Sequence, residues 1–248
     1  MKLIKRIIIL LITTFSFNYC AFAQEKITTI GLQFKPIYSS PFFGTGPINI
    51  ADSGFFYNIK PGWGFSGGMV IRKGYRKNLS IEYGINYTRR NYNLKLQNTS
   101  LQETNGGFKI IAYEIPFSQL IFIRLSERLY MNAAAGICIN MFPSDIARGN
   151  ENYGIVAGRT LIFNPSLLAN IGIEYRTSKS GYFYLGTTLN RPFKEIYSFT
   201  AASFLNNAAI NSVSGKLNGA YLTFDFKYFF YENPEKKIKR KTIQKSKK

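Results

Sequence analysis

The chain has no histidine, and that absence removes several chemistries at once. Hydrolases and acyltransferases that activate a serine or a water through an imidazole are excluded, and a zinc site loses its usual nitrogen ligand. Carboxylate or lysine catalysis is left formally open. Cysteine is scarce as well: Cys20 and Cys138 are the whole supply, and Cys20 falls in a segment that reads as a removed leader. A mature chain with Cys138 alone can form no internal disulfide, even in an oxidising compartment. After Phe17 there is no uninterrupted apolar run of the length a membrane helix needs, roughly 20 residues, which excludes a helical membrane protein. Acidic residues are few, 13 against 32 Lys and Arg, so the chain is strongly basic.

The leader is read from its three parts. Lys2, Lys5 and Arg6 precede an apolar run from Ile7 to Phe17, and Ala21-Phe22-Ala23 places small residues where a signal peptidase cuts. Residues 1–23 are therefore expected to be a secretory signal peptide, with Gln24 the first mature residue. Phe17-Asn18-Tyr19 ahead of Cys20 does not form a lipid-attachment box.

What the chain has in quantity is aromatic residues and glycine: 22 Phe, 17 Tyr and 21 Gly, a mixture that favours strands and turns over helices. Two-residue alternation marks eight segments, at 26–38, 60–73, 78–91, 108–125, 128–142, 159–177, 181–191 and 217–231. In the last of these, Ala220, Leu222, Phe224, Phe226, Tyr228 and Phe230 alternate with Gly219, Tyr221, Thr223, Asp225 and Lys227. Pro36, Pro116 and Pro165 fall in or near these segments, where each removes a ladder donor and predicts a bulge or a shifted boundary. Trp63, Tyr87, Tyr92, Tyr182, Phe229, Phe230 and Tyr231 lie near strand ends, where aromatic girdles meet lipid headgroups.

The connections set the topology. Gly74-Tyr75-Arg76-Lys77, Ser126-Glu127 and Ser178-Lys179-Ser180 are short, whereas 39–59, 92–107, 143–158 and 192–216 are long. Short and long links alternate, as an up-and-down meander with an even number of strands requires. Transmembrane barrels of bacterial outer membranes share this asymmetry. The polar faces carry mainly Gly, Ser, Thr and Asn, which suit a narrow interior better than a solvated exterior. An eight-stranded barrel is just wide enough for side chains to fill. The expectation is an all-β, eight-stranded antiparallel up-and-down transmembrane β-barrel over residues 24–231, apolar outside, with the chain ends periplasmic. A secreted soluble barrel or sandwich is the structural rival.

Ionisable residues with lumen parity are Arg72, Glu82, Glu114, Arg124, Glu174, Arg176, Asp225 and Lys227. Charges held away from water must pair, so these are expected to form a structural ion network, mostly in the periplasmic half with Glu114 higher. Neither a catalytic nor a metal or cofactor site is expected. Cys138 has inward parity and is read as a small lumen filler. Residues 232–248 carry Lys236, Lys237, Lys239, Arg240, Lys241, Lys245, Lys247 and Lys248 against Glu232 and Glu235, and read as a basic, disordered periplasmic tail. A secreted barrel rarely meets nucleic acid, so anionic lipid, cell-wall carboxylates or an acidic protein are the partners considered for the tail.

With these residues in view, the chain resembles the small outer-membrane β-barrels of Bacteroidota, in particular the PorT-like group. The resemblance rests on the leader, the eight-strand layout, the Tyr113-Glu114-Ile115-Pro116-Phe117 strand, the Tyr130 to Gly136 strand and a final strand ending in Phe229 and Phe230. It implies an outer-membrane location and a non-enzymatic role, with some members resembling accessory factors of protein secretion and gliding. One departure is the tail, since the barrel signal closes the chain in many such proteins, whereas here 17 residues follow Tyr231. The function expected is a monomeric outer-membrane barrel in contact with lipid, interacting with an envelope or secretion-system protein through its loops or tail. A small-solute channel is the alternative, and a lipid-modifying enzyme a more distant one.

Overall fold

A computed structural model of the chain describes residues 28–76, 78–97, 103–205 and 208–231. The leader and the basic tail lie outside the described residues. Among those residues the strands are β1 (Thr28–Tyr38), β2 (Ile48–Asp52), β3 (Phe55–Pro61), β4 (Gly64–Arg76), β5 (Leu79–Gln97), β6 (Glu103–Arg124), β7 (Leu129–Met141), β8 (Ile146–Gly149), β9 (Tyr153–Arg159), β10 (Phe163–Arg176), β11 (Tyr182–Pro192), β12 (Tyr197–Leu205), β13 (Ala208–Leu217) and β14 (Tyr221–Phe229).

Eight of them close a ring. β1, β4, β5, β6, β7, β10, β11 and β14 each pair antiparallel with the next, and β14 returns to β1 with Phe226 opposite Phe34 and Phe229 opposite Gly31. Closure matters because an unpaired backbone group in hydrocarbon costs several kcal/mol. The expected bulges at the prolines do not occur. Around Pro116 the β5–β6 ladder lapses between Tyr83–Phe117 and Asn86–Glu114 and resumes in the same register. Around Pro36 the β1–β14 ladder does the same between Phe34–Phe226 and Ile37–Thr223. The wall's register shift lies instead at Gly74 and Arg76.

Side-chain alternation gives the wall its two faces. Ile30, Leu32, Phe34, Met69, Ile85, Ile121, Ile137, Ile171, Leu185, Phe224 and Phe226 are all exposed and point outward. Thr29, Gln33, Ser66, Thr88, Asn140, Ser166, Thr188 and Asp225 are buried and point inward. An exposed apolar surface of this extent around a closed sheet is the lipid-facing wall of a transmembrane barrel. The interior is not uniformly polar, because Val70, Leu120, Phe122, Tyr184 and Phe229 are also buried there.

The long links are where expectation and structure differ most. β5 and β6 continue past the wall as one ribbon, Gln97 opposite Glu103, and the β2–β3 hairpin pairs onto it through Phe56–Gln97 to Pro61–Tyr92. The links 143–158 and 192–216 become a second sheet in the order β13-β12-β9-β8. The two sheets bury Tyr57, Ile59, Leu94, Leu96, Phe108, Ile110, Phe142, Ile155, Ile196, Phe199 and Leu217 between them. The last wall strand accordingly begins at Tyr221 rather than 217: Leu217 belongs to β13, and Gly219 turns the chain with φ 70°, which favours glycine.

Polarity inverts along the shared ribbon, and that inversion fixes the level at which the wall leaves the apolar surround. In the lower part of β5, Tyr83, Ile85 and Tyr87 face out while Glu82, Asn86 and Thr88 face in. Beyond Arg90 the outward residues are Asn91, Asn93 and Lys95, and the inward ones are Tyr92, Leu94 and Leu96. β6 repeats the switch, from outward Tyr113, Ile115 and Phe117 to outward Lys109 and Asn105. A sheet that is apolar outside in one half and polar outside in the other has passed from hydrocarbon into water.

Candidate functional site

The lumen of the lower half is crossed by one chain of charges. Lys227 Nζ donates to Glu82, Glu82 accepts from Arg72 Nη2 at 3.0 Å and Nε at 3.2 Å, Arg72 donates to Glu174, and Arg176 Nε donates to Glu174 at 2.7 Å. These five residues come from β14, β5, β4 and β10, so the network ties together strands from around the ring. Arg72 also lies over the Phe229 ring at 3.9 Å, and Arg176 over Tyr130 at 4.0 Å, with Phe122 between the two guanidinium groups. Such contacts suit arginine, whose planar cation stacks on aromatic faces.

Asp225 forms a second station. Its carboxylate accepts from Thr188 and Thr223 hydroxyls and from Asn170 Nδ2 at 3.1 Å, and Lys35 Nζ lies 3.6 Å away. Tyr184 runs along the inner wall of the β10–β11 pair to donate to Asn170 at 2.7 Å, and its ring fits because Gly172 and Gly186 lie against it. Glu114 stands higher, where it accepts from the Tyr221 hydroxyl at 2.6 Å. Arg90 sits above that hydroxyl's ring at 5.0 Å and donates to the Gly219 carbonyl at 2.7 Å.

The eight residues singled out by parity are thus divided. Arg72, Glu82, Glu174, Arg176 and Lys227 form the connected network, while Asp225 and Glu114 have partners of their own. Arg124 is a correction: it is exposed at the turn end, where its Nε donates to the Ser126 carbonyl at 3.1 Å, because β6 ends at that residue and leaves no wall beyond it. Lys35 and Arg90 were missed although their parity is inward. The girdle assignment is corrected as well. Tyr92 and Phe229 are buried on the inner face, and Tyr182 lies beneath Arg176, whereas Trp63, Phe230 and Tyr231 are exposed. Cys138 is buried and free on the inner face.

Above the network stands the head, formed by the β2–β3 hairpin, the outer parts of β5 and β6 and the second sheet. Phe142, Ile196, Leu217 and Ala112 belong to its apolar core, with Phe142 stacked edge-on against Tyr197 at 5.4 Å and within reach of Arg90 at 5.7 Å. The Tyr57 hydroxyl donates to Asn211 at 2.8 Å across the two sheets, and Tyr197 donates to the Ser144 carbonyl at 2.7 Å. Burial pushes both phenols above their usual pKa, with Asp52 adding to the effect at Tyr57, so both remain donors throughout the physiological range.

No protein-family model matches the chain, and no curated protein does. Among solved structures it is similar to the outer membrane protein OprG from Pseudomonas aeruginosa, at 10% identity and TM-score 0.48, covering 83% of this chain and 96% of that one. It is also similar to the outer membrane protease OmpT from Escherichia coli, at 12% identity and TM-score 0.36, covering 86% and 99%. The beta domain of the Bordetella autotransporter BrkA aligns at 9% identity and TM-score 0.23, covering 84% and 100%. With these three TM-scores below 0.5, the closed barrel stands on this chain's own strand pairing and wall polarity.

Proposed function

We propose that the chain is an outer-membrane barrel of a Gram-negative bacterium that is sealed against solutes and works, without catalysis, through the head built on its long links. The turn end and the described chain ends face the periplasm, and the head faces outward. The observation that carries this reading is the stacking of a charge-filled lumen beneath the apolar core of the head, within a wall whose polarity inverts where the head begins. Glu82, Glu114, Glu174 and Asp225 are each bound by cations or hydroxyls, which supports a structural role for the lumen carboxylates over general acid or base work. The kinship with PorT-like barrels and the secretion-accessory role rest on the leader and strand motifs quoted above, and an envelope or secretion-system protein is the partner proposed for the head or tail.

Planar-bilayer recording of the refolded full chain tests the seal. Silence is expected; steady ohmic steps would favour the small-solute channel and overturn the sealed reading. Cross-linking in native envelopes with and without residues 233–248 separates the two candidate surfaces. A partner set that survives the truncation assigns the contacts to the head, and one that is lost assigns them to the tail.

A further inference from the structure

We infer that the outward face where β3, β5 and β6 leave the wall binds the phosphate-bearing headgroup of an outer-leaflet glycolipid. The inference rests on the outer-membrane reading above and adds to it a ligand and a flank. Arg89, Lys95, Lys109 and Lys60 all project from the same outward face. Lys109 stands opposite Asn91 across β5–β6, two residues along from Arg89; Lys95 stands opposite Asn58 and Asn105, and Lys60 opposite Asn93. At about 3.3 Å per residue along a strand and about 5 Å between neighbouring strands, the four cations fall within a patch about 20 Å long. Lys60, Lys95 and Lys109 are exposed and Arg89 is half-buried. Among the described side chains none of the four has a carboxylate partner, and Arg89 Nε donates to Asn91 at 3.2 Å.

The patch stands at a defined depth. At its lower edge run Phe65, level with Arg89, then Tyr87 and Tyr113 just below, outward rings in successive contact at 6.1 and 6.0 Å. Trp63, 82% exposed, lies on the same flank, its carbonyl bound by Asn91. Aromatic rings at the interface followed by cations match the order in which a bilayer presents acyl chains and then phosphates. The exposed carboxamides of Asn93 and Asn105 between the cations suit the sugar hydroxyls of a glycolipid, while Asn91 is engaged by Arg89 and by the Trp63 carbonyl. On the β10–β11 side the loop end exposes Leu161, Ile162, Phe163 and Phe193, Arg159 is paired with Asp145 at 3.4 Å, and among the described residues the exposed cations Arg191 and Lys194 are not joined by a paired row of further cations on neighbouring strands.

Trp63 is the single tryptophan of the chain and reports on this flank. The refolded full chain in zwitterionic micelles is titrated with diphosphoryl lipid A while Trp63 emission is followed. A saturable change is expected, weakened by salt, at least tenfold weaker in K60Q/K95Q/K109Q, severalfold weaker in K95Q or K109Q alone, and unaltered in R191Q/K216Q on other faces. The single variants keep the test decisive if the triple variant fails to fold, as judged by loss of its faster gel band without boiling. Equal binding by the Gln variants overturns the inference, as does an equal loss in R191Q/K216Q. The same emission change with inorganic phosphate alone would mean a general anion surface and would overturn the headgroup assignment. A wild-type chain that does not insert into bilayers sinks the membrane reading itself. One that inserts but binds diphosphoryl lipid A no better than phosphatidylcholine sinks only the patch.

Discussion

Replacing Glu82 with glutamine should cost the barrel about 3 kcal/mol, near the low end of the range for breaking a buried ion pair. The figure follows from how its partners are placed. Glu82 is 8% exposed and holds two cations, but Arg72 keeps Glu174 when Glu82 is neutralised, and a glutamine oxygen can still accept from Arg72. The loss therefore concentrates on Lys227, which is buried with its ammonium on Glu82 and the Tyr184 ring 5.0 Å away. With a urea slope of about 2 kcal/mol per molar, the unfolding midpoint of the refolded protein should fall by about 1.5 M. Lys227→Met alone should cost less, because Glu82 then retains Arg72. The double variant E82Q/K227M should recover most of the loss, since removing both partners of a buried pair is often near neutral. Trp63 emission and the heat-modifiable gel band give two readouts of the same transition. A midpoint shift below about 0.5 M for Glu82→Gln, or a double variant no more stable than the single one, would refute the idea that a paired network braces the bore.

Three further expectations follow from the wall, the bore and the head. Phe226→Lys places a charge on the lipid face and should destabilise the bilayer-inserted barrel by about 2–4 kcal/mol, measured by urea unfolding in vesicles, with a much smaller effect in detergent. Gly186→Val forces a side chain against the Tyr184 ring, where even a Cβ would come within 2.6 Å of Cζ, and should cost about 1–3 kcal/mol by the same assay. Leu217→Ala opens the apolar core of the head and should cost about 2–5 kcal/mol, seen as protease cleavage in the 197–217 segment while the barrel band persists. If cleavage is unchanged, the head is not held by that core.

The wall was legible because its two faces differ at every second residue and because three links are too short to be anything but turns. Each boundary strand then follows from parity, and so does the inward set of Arg72, Glu82, Glu174, Arg176 and Lys227. Parity could not say that Arg124 sits past the last ring of neighbours; Phe229 shares the inward parity of Asp225 and Lys227 and lies under Arg72, but its place near a strand end suits a girdle equally well and concealed this. The head was illegible for a different reason. Its strands keep the alternation of β5 and β6 but exchange the faces, so Tyr92, Leu94 and Leu96 read as a loop to any template that requires apolar residues to continue on the lipid side.

That exchange also determines where the molecule can meet a partner through its backbone. A closed ring has no free margin, so the wall offers lipid only side chains. The head is built of open sheets, and its margins are β2 on one side and β8 and β13 on the other. Asn211 of β13 is bound to Asp52 of β2 at 3.0 Å, and Gly215 of β13 lies against Ile50, so these two margins are drawn toward each other. β8, a strand of four residues with Ala147, Arg148 and Gly149 exposed, is the remaining margin and lies alongside β6. Short length and a projecting arginine are the usual means of keeping such a margin from pairing indiscriminately. The head is thus shaped to resist random strand addition while leaving its side-chain faces open, which fits contact by surface patches better than contact by an added strand.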